Sequence, residues 1–176
     1  MKSTRNPFLI NIGFLINQPI GYSRTIPFTF QEMDFGDGLV VQQLEINIEL
    51  VRNQDGFRSM VEFKGFFTNE CGRCLETFRE KIQGEFEEFF TFPYVETSDD
   101  EIQVPESGDV DFKPILHDYI LIEIPINPVC KPDCKGLCDI CGVNRNIEDC
   151  GHEHSHDGEE PQHKPDLEDL KRALDT

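Results

Sequence analysis

The sequence contains no tryptophan and a single alanine among its 176 residues. Because alanine is the strongest helix former, its near absence argues against a helical bundle. Positive charge is also scarce, since 16 Lys and Arg stand against 34 Asp and Glu, for a formal net charge of −18. General binding to nucleic acid depends on Lys and Arg displacing counterions. A chain as acidic as this one is therefore poorly suited to it. The acidic excess favours basic partners.

Long hydrophobic runs are missing too. No apolar run approaches the roughly 18–20 residues that a bilayer-spanning helix needs. The first residues include the basic Lys2 and Arg5, but Asn11 and Asn17 interrupt the apolar stretch that follows. We therefore expect no membrane segment, no cleaved signal peptide and a cytoplasmic location.

Several common catalytic signatures are absent as well. The chain has no nucleophile elbow, no phosphate-binding loop and no dinucleotide-binding fingerprint. Paired carboxylates carry no information in a chain with this many acidic residues. We therefore expect no enzymatic activity and no small-molecule substrate.

Cysteine, by contrast, is frequent and unevenly spaced. Cys71 and Cys74 form an isolated C-x-x-C pair, and five further cysteines fall within residues 130–150. Without a secretory signal, such clusters are typical of metal sites or redox centres rather than disulfides. The candidate metal ligands are Cys71, Cys74, Cys130, Cys134, Cys138, Cys141, Cys150 and His152.

Structural zinc binds four tetrahedral ligands, mostly thiolates, and two partitions of the candidates fit this rule. In the first, Cys71, Cys74, Cys130 and Cys134 form one site, and Cys138, Cys141, Cys150 and His152 form a second. In the other, Cys134, Cys138, Cys141 and Cys150 hold a single zinc ion. The number of candidate ligands favours two ions over one.

Thiol redox chemistry is the competing interpretation of the isolated pair. Cys71-Gly72-Arg73-Cys74 has the spacing of an oxidoreductase, and the cationic Arg73 would stabilise a neighbouring thiolate. Redox C-x-x-C pairs usually open a helix after a strand of an α/β fold. This pair is instead predicted between two antiparallel strands, which favours the metal interpretation.

Alternating side chains predict the strands. Residues 39–51 and 57–68 alternate apolar with polar side chains around a D-G turn, which predicts a β-hairpin. Phe or Ile then recurs every four residues up to Phe90, which predicts a third strand, with the C-x-x-C pair at the hairpin tip between the second and third.

The rest of the chain alternates acidic and apolar stretches. Residues 96–109 are acidic and contain Pro and Gly, which predicts a mobile loop. Asp111 is the expected cap of a short helix over about residues 113–123. After a polar His-containing stretch, Leu167, Leu170 and Leu174 have helical spacing.

The expected fold class is α+β, with an antiparallel β meander, a short helix, a cysteine-rich zinc-binding segment and a C-terminal amphipathic helix. We expect a single β-rich domain over residues 1–150, which includes the cysteine-rich segment 130–150. An acidic, His-containing linker over residues 151–164 and the terminal helix over residues 165–176 would follow.

Two motifs resemble those of a known family. One is Cys71-x-x-Cys74-Leu75-Glu76, and the other is the run D-C-K-G-L-C-x-x-C-G-x-N-x-N from Asp133 to Asn146. Together with the order of elements over about residues 8–174, they resemble the YceD-type proteins of bacteria and plastids. That family is linked to accumulation of the 23S rRNA of the large ribosomal subunit. The resemblance implies a role in the same process.

The combined hypothesis is a non-enzymatic factor, stabilised by one or two Zn²⁺ ions, that supports 23S rRNA accumulation and large-subunit assembly. Its net charge predicts that it reaches the large-subunit precursor through a basic ribosomal protein or an assembly factor. Lys131, Lys135 and Arg145 are the candidate contacts if RNA is touched directly. A thiol redox or redox-sensing protein using Cys71 and Cys74, and a zinc-binding adaptor, are the alternatives.

Overall fold

The computed structural model describes residues 6–96 and 102–152. Strands account for most of the regular secondary structure in this part of the chain, and its helices are short, so the prediction of a mainly β protein is confirmed. The elements in chain order are β1 (Leu9–Asn11), α1 (Gly13–Ile16), β2 (Ser23–Gly36), β3 (Leu39–Arg52), β4 (Gly56–Glu70), β5 (Thr77–Thr91), β6 (Ile102–Gln103), β7 (Asp109–Asp111) and α2 (Lys113–Ile122).

Within the described residues, strands β2 to β6 form a five-stranded sheet in the order of the sequence. Strands β2, β3, β4 and β5 pair antiparallel with their neighbours in the chain. Strand β6 adds in parallel beside β5, whereas β1 and β7 pair with each other in a separate two-stranded sheet. The long strands therefore come from consecutive hairpins, whereas the short strands β1, β6 and β7 come from the segments before and after them.

The hydrophobic core lies on one face of the large sheet. Along β3, Leu44 and Ile46 are buried while the intervening Glu45 is exposed, as the period of two in a half-buried strand requires. Phe8 from the N-terminal segment and Leu116 from α2 are fully buried in the same cluster. Burial of each such side chain contributes about 1.5–3 kcal/mol. Of the residues that the structure describes, none from the cysteine-rich segment 130–150 belongs to this cluster.

The expectation of a mobile loop over residues 96–109 is wrong for residues 102–109. Val104 is only 2% exposed, and its backbone N–H donates a hydrogen bond of 2.9 Å to the carbonyl of Thr91. The preceding residues form β6 against β5. Burial of the valine side chain, strand pairing and the hydrogen bond from the Ile12 N–H to the Gly108 carbonyl together order this segment in spite of its acidic composition. Residues 97–101 lie outside the described part of the chain.

The start of α2 also differs from the prediction. The Asp111 carboxylate accepts a hydrogen bond of 2.8 Å from the backbone N–H of Lys113. Asp111 itself, however, belongs to β7 and pairs with Leu9, and the N-cap position is Phe112. The helix therefore follows directly from the end of a paired strand, and its predicted extent is nearly correct.

The sheet and α2 bring distant cysteine-bearing segments to one end of the fold. Strands β4 and β5 stay paired as far as Glu70 and Thr77, so residues 71–76 form the tip of their hairpin. Beyond α2 the chain returns to this tip, where the Gly72 N–H donates to the carbonyl of Pro128 at 2.8 Å.

None of the helices within residues 6–96 and 102–152 is long and apolar enough to cross a membrane. Residues 153–164 of the predicted linker and the predicted helix over residues 165–176 lie outside the described residues. The domain boundaries stay a prediction.

Candidate metal centres

The hairpin tip between β4 and β5 positions the first two cysteines. The Cys71 N–H donates to the carbonyl of Glu76, and the Leu75 N–H donates to the carbonyl of Cys71, both at 2.9 Å. Leu75 has a φ of 59°, in the left-handed region that a branched side chain rarely adopts. This tight turn leaves Cys71 and Cys74 buried and Leu75 exposed.

Cluster 1 consists of Cys71, Cys74, Cys130 and Cys134, whose sulfur atoms all lie within 4.8 Å of one another. The Sγ atoms of Cys71 and Cys134 are 3.8 Å apart, and those of Cys74 and Cys130 are 3.6 Å apart. The Arg73 guanidinium donates to the carbonyl of Cys134 at 3.2 Å and holds the two segments together. Cluster 1 is therefore a buried group of thiols that joins the hairpin tip to the segment after α2.

Cluster 2 consists of Cys138, Cys141, Cys150 and His152, whose ligand atoms also lie within 4.8 Å of one another. The Nδ1 atom of His152 is 3.7 Å from the Sγ atom of Cys138. The backbone N–H groups of Ile140 and Cys141 each donate to that sulfur at 3.4 Å. Cluster 2 is less buried than cluster 1, since Cys141 is exposed.

This arrangement matches the first of the two partitions that the spacing allowed. Cys134 lies with Cys71 and Cys74 in cluster 1, and not with Cys138 as the single-ion partition required. The eight predicted ligands thus fall, within the described residues, into two groups of four that can each hold a metal ion. Metal ligation by the individual residues stays a prediction.

Hydrogen bonds to sulfur favour the thiolate form at Cys71 and Cys134 in cluster 1 and at Cys138 in cluster 2. A hydrogen bond from the backbone of Cys130 has the largest effect on Cys71 and lowers its pKa to about 6. Burial opposes the charge of Cys138, but the N–H groups of Cys141 and Ile140 lower its pKa to about 6. Burial and the neighbouring thiols raise the pKa of Cys130 to about 12. A bound cation would stabilise the further thiolates that these surroundings disfavour.

The basic residues predicted as partner contacts all lie in the cysteine-rich segment. Lys131 and Lys135 are exposed, and Arg145 is half-buried. The Arg145 N–H donates to the carbonyl of Gly136 at 3.0 Å, which places Arg145 beside the backbone between Cys134 and Cys138. Their contact with RNA or with a protein stays a prediction.

Sequence reasoning missed the role of two asparagines. Asn146 donates from Nδ2 to the Sγ atom of Cys134 at 3.3 Å, and Asn144 accepts a hydrogen bond of 2.9 Å from the same amide. Both residues are part of the G-x-N-x-N string, but a sulfur-directed amide has no spacing signature of its own. The G-x-N-x-N string was therefore the only sequence signal that could have pointed to these two residues.

Residues 152–156 read His-Glu-His-Ser-His and fit the H-E-x-x-H pattern. That pattern binds metal when both histidines lie on one face of a helix. His152 is not helical, and its ring lies with the thiols of cluster 2. The remaining residues of the pattern lie outside the described part of the chain.

The chain is similar to several known proteins. Residues 61–172, well over half of the chain, match the family model described as "Large ribosomal RNA subunit accumulation protein YceD". An uncharacterized protein of Mycobacterium tuberculosis is 37% identical over 89 residues, which are 48% of this chain and 42% of that protein. No solved structure matches the chain.

Two plant proteins named "Large ribosomal RNA subunit accumulation protein YCED homolog 1, chloroplastic" match as well. The one from Arabidopsis thaliana is 26% identical over 160 residues, covering 73% of this chain and 49% of that protein. The one from Zea mays is 41% identical over 49 residues, covering 27% of this chain and 17% of that protein. The chain thus spans about half or less of the length of these curated relatives. The extent of the family match shows that the chain belongs to the YceD family of large ribosomal RNA subunit accumulation proteins.

Proposed function

We propose that this protein is a non-enzymatic, zinc-stabilised factor that supports 23S rRNA accumulation and large ribosomal subunit assembly. The observation that carries the proposal is that a member of this family holds two four-ligand clusters, one of which joins distant parts of the chain. Four thiolates, and three thiolates with one imidazole, are ligand sets that structural zinc uses. We assign no catalytic residue and no small-molecule substrate.

Zinc would contribute folding free energy where packing contributes little. Among the described residues, the apolar side chains packed against cluster 1 are Phe78 and Val129, whereas the sheet has a large core of its own. Binding of zinc to the thiolates would therefore add folding free energy to a segment that has little apolar packing. In this proposal the ions stabilise a surface that a partner recognises.

The net charge of −18 indicates what kind of partner that is. A strongly acidic protein is repelled by bare RNA and attracted to basic proteins, so contact through a basic ribosomal protein or assembly factor is favoured. Lys131, Lys135 and Arg145 lie in the cysteine-rich segment and are the proposed contacts with RNA phosphate, if RNA is touched directly.

We further propose that residues 1–150 act as one domain in the cytoplasm. The hydrogen bond between Gly72 and Pro128 supports this, because it joins the cysteine-rich segment to the sheet. The plant relatives carry the word chloroplastic in their names, which describes those proteins.

Affinity capture of the tagged full-length protein from native lysate tests this function. The bound RNA is sequenced and the bound proteins are identified, for the unaltered chain and for Cys138→Ser/Cys141→Ser. We expect large-subunit precursors with the unaltered chain and their loss with the double variant. Capture without ribosomal material at low salt would contradict the proposal.

A second pair of variants tests the basic residues with matched charge. Lys131→Glu, Lys135→Glu and Arg145→Glu are combined in one chain. The control chain carries Lys64→Glu, Lys81→Glu and Lys113→Glu, which change the charge equally but lie on the sheet and on α2. We expect the first chain alone to lose at least about tenfold in captured precursor. Equal losses would show that only total charge matters.

Zinc content and thiol counting separate the proposal from the redox alternative. Two zinc ions per chain with protected thiols support the proposal. Metal-free protein with a reversible disulfide between Cys71 and Cys74 would support a redox or redox-sensing role instead. Capture of non-ribosomal partners by zinc-loaded protein would support an adaptor.

A further inference from the structure

The two cysteine clusters share a short strip of backbone. Cys134 of cluster 1 and Cys138 of cluster 2 are separated only by Lys135, Gly136 and Leu137. A change in the position of this strip therefore moves one ligand of each cluster. The question is which side chain holds the strip in place.

Asn146 contacts this strip from the loop that follows Cys141. Its Nδ2 donates to the Sγ atom of Cys134 at 3.3 Å, and its Oδ1 accepts from the backbone N–H of Lys135 at 3.0 Å. Its Nδ2 and its backbone N–H also donate to the Oδ1 of Asn144, at 2.9 and 3.0 Å. Both ends of the amide are hydrogen-bonded, so its orientation toward the sulfur is fixed.

The loop that carries Asn146 is organised around cluster 2. The Cys138 N–H donates to the carbonyl of Val143, and the Gly142 N–H donates to the carbonyl of Cys138, both at 2.8 Å. Gly142 has a φ of 73°, which glycine adopts without steric cost and which lets the loop turn back toward the strip. A metal ion at cluster 2 would tie Cys138 to Cys141 and so fix the position of Asn146.

We propose that Asn146 couples the two clusters, so that metal bound at cluster 2 raises the metal affinity of cluster 1. A donor on a ligand sulfur stabilises the thiolate and orients it, and loss of such a partner typically lowers metal affinity about 10–100-fold. Because coupling between sites is reciprocal, metal at cluster 1 raises the affinity of cluster 2 by the same factor. The inference rests on the metal loading in the proposed function and not on the ribosomal partner.

Zinc titration of the full-length chain against a chromophoric chelator tests the coupling. Cluster 1 is measured with cluster 2 intact and with cluster 2 removed by Cys138→Ser/Cys141→Ser, each with and without Asn146→Ala. A Cys71→Ser/Cys74→Ser chain identifies the binding step of cluster 2. We expect Asn146→Ala to weaken cluster 1 about 10–100-fold. In the chain that keeps Asn146, removal of cluster 2 should lower the zinc affinity of cluster 1. In the Asn146→Ala chain, removal of cluster 2 should cause little further loss of that affinity.

Two further variants make the result specific. Asn146→Asp keeps the acceptor for Lys135 but places a carboxylate beside the Cys134 thiolate, so it should weaken cluster 1 at least as much. Asn47→Ala, at an exposed position on β3, is the matched control and should leave both affinities unchanged. Far-UV circular dichroism checks that each variant keeps the sheet.

The outcomes separate this inference from the proposed function. The coupling alone would be overturned if the zinc affinity of cluster 1 changed by less than about threefold on removal of Asn146 and on removal of cluster 2. A chain that binds no zinc at either cluster would overturn the metal loading as well. Neither result depends on capture of ribosomal material.

Discussion

The Tyr119 ring lies parallel to the Phe86 ring, with the two centroids 3.9 Å apart. The Tyr119 hydroxyl also donates a hydrogen bond of 2.9 Å to the carboxylate of Glu88. Because Tyr119 is on α2 and the other two residues are on β5, this contact fixes the helix to the sheet. The hydrogen bond to Glu88, together with burial and the Glu88 charge, raises the pKa of Tyr119.

We expect Tyr119→Phe to keep the ring stack and to lower the free energy of unfolding by about 1 kcal/mol at pH 7, because it removes one hydrogen bond to a charged group. The raised pKa means that the folded state binds this proton more tightly than the unfolded state. The hydrogen bond therefore stabilises the fold fully below the ordinary tyrosine pKa of 10.0 and is lost as the pH rises through the raised value. Urea unfolding at pH 7 and at higher pH measures both effects.

The control for this prediction is Tyr94→Phe. Tyr94 is 71% exposed, and removing its hydroxyl should leave the free energy of unfolding unchanged. A difference absorbance titration of tyrosinate between the unaltered chain and Tyr119→Phe should show ionisation above the ordinary pKa. Equal stability of the Tyr119→Phe chain at pH 7 would contradict the assigned role of the hydrogen bond.

Gly56 leaves no room for a side chain at the start of β4. A Cβ atom there would overlap the carbonyl oxygen of Phe90 on the paired strand. We expect Gly56→Ala to lower the free energy of unfolding by more than about 2 kcal/mol, because the backbone of β5 would have to move. Thermal and urea unfolding measure the loss.

The matched control is Gly72→Ala at the hairpin tip. Its Cβ atom would lie 3.5 Å from the carbonyl oxygen of Pro128, which is an ordinary contact. We expect a change within about 0.5 kcal/mol. If the Gly56 and Gly72 variants were equally stable, the steric argument at Gly56 would be wrong.

Val104 is a buried side chain in the acidic stretch between β5 and β7. Because it is only 2% exposed, Val104→Ala should lower the free energy of unfolding by about 1–3 kcal/mol, through lost burial and a residual cavity. Ile102→Ala is the neighbouring control, since Ile102 is 39% exposed and should lose less than about 1 kcal/mol. Equal losses in the two variants would show that the segment is held by its backbone pairing alone.

Removal of metal should open the cysteine-rich segment without unfolding the sheet. If the segment is zinc-stabilised as proposed, a strong chelator should speed trypsin cleavage after Lys135 and Arg145 at least about tenfold, because the ions would supply free energy that orders it. Far-UV circular dichroism should stay β-like, and cleavage after Lys64 in β4 should stay slow. Mass spectrometry of the cleaved protein measures all three sites. Unchanged cleavage after Lys135 and Arg145 would show that the segment is ordered without metal.

The long central strands were predictable because their side chains report directly on burial. The alternation around Ile46 and Ile48 sets one face of β3 in the core, and the D-G turn fixes where β4 begins. Strand β2 was not predicted. Pro27 interrupts its sequence pattern, and the strand lies at the sheet edge, where burial is incomplete. Strands β6 and β7 have two or three residues and depend on tertiary contacts, which no local pattern reports.

The candidate ligands were predictable as a set, but their grouping was not. Ligand type and close spacing identify the cysteines, yet the spacing alone allowed Cys134 to join either group. Its placement with Cys71 depends on the hydrogen bond between Gly72 and Pro128, which joins parts of the chain far apart in sequence. Contacts of this kind become visible only when the path of α2 is known.

The long sequence separation between the ligands of cluster 1 sets the order in which they become available during synthesis. Cys71 and Cys134 are 63 residues apart, although their sulfur atoms are 3.8 Å apart. Translation delivers the hairpins of the sheet first, and domains generally fold from the N-terminus as they emerge. A chain whose synthesis has stopped before Cys134 has the complete β4–β5 hairpin but lacks one of the four thiols of cluster 1. A metal ion could bind all four ligands of cluster 1 only after synthesis has passed Cys134, so binding there would mark a chain in which both segments have been made.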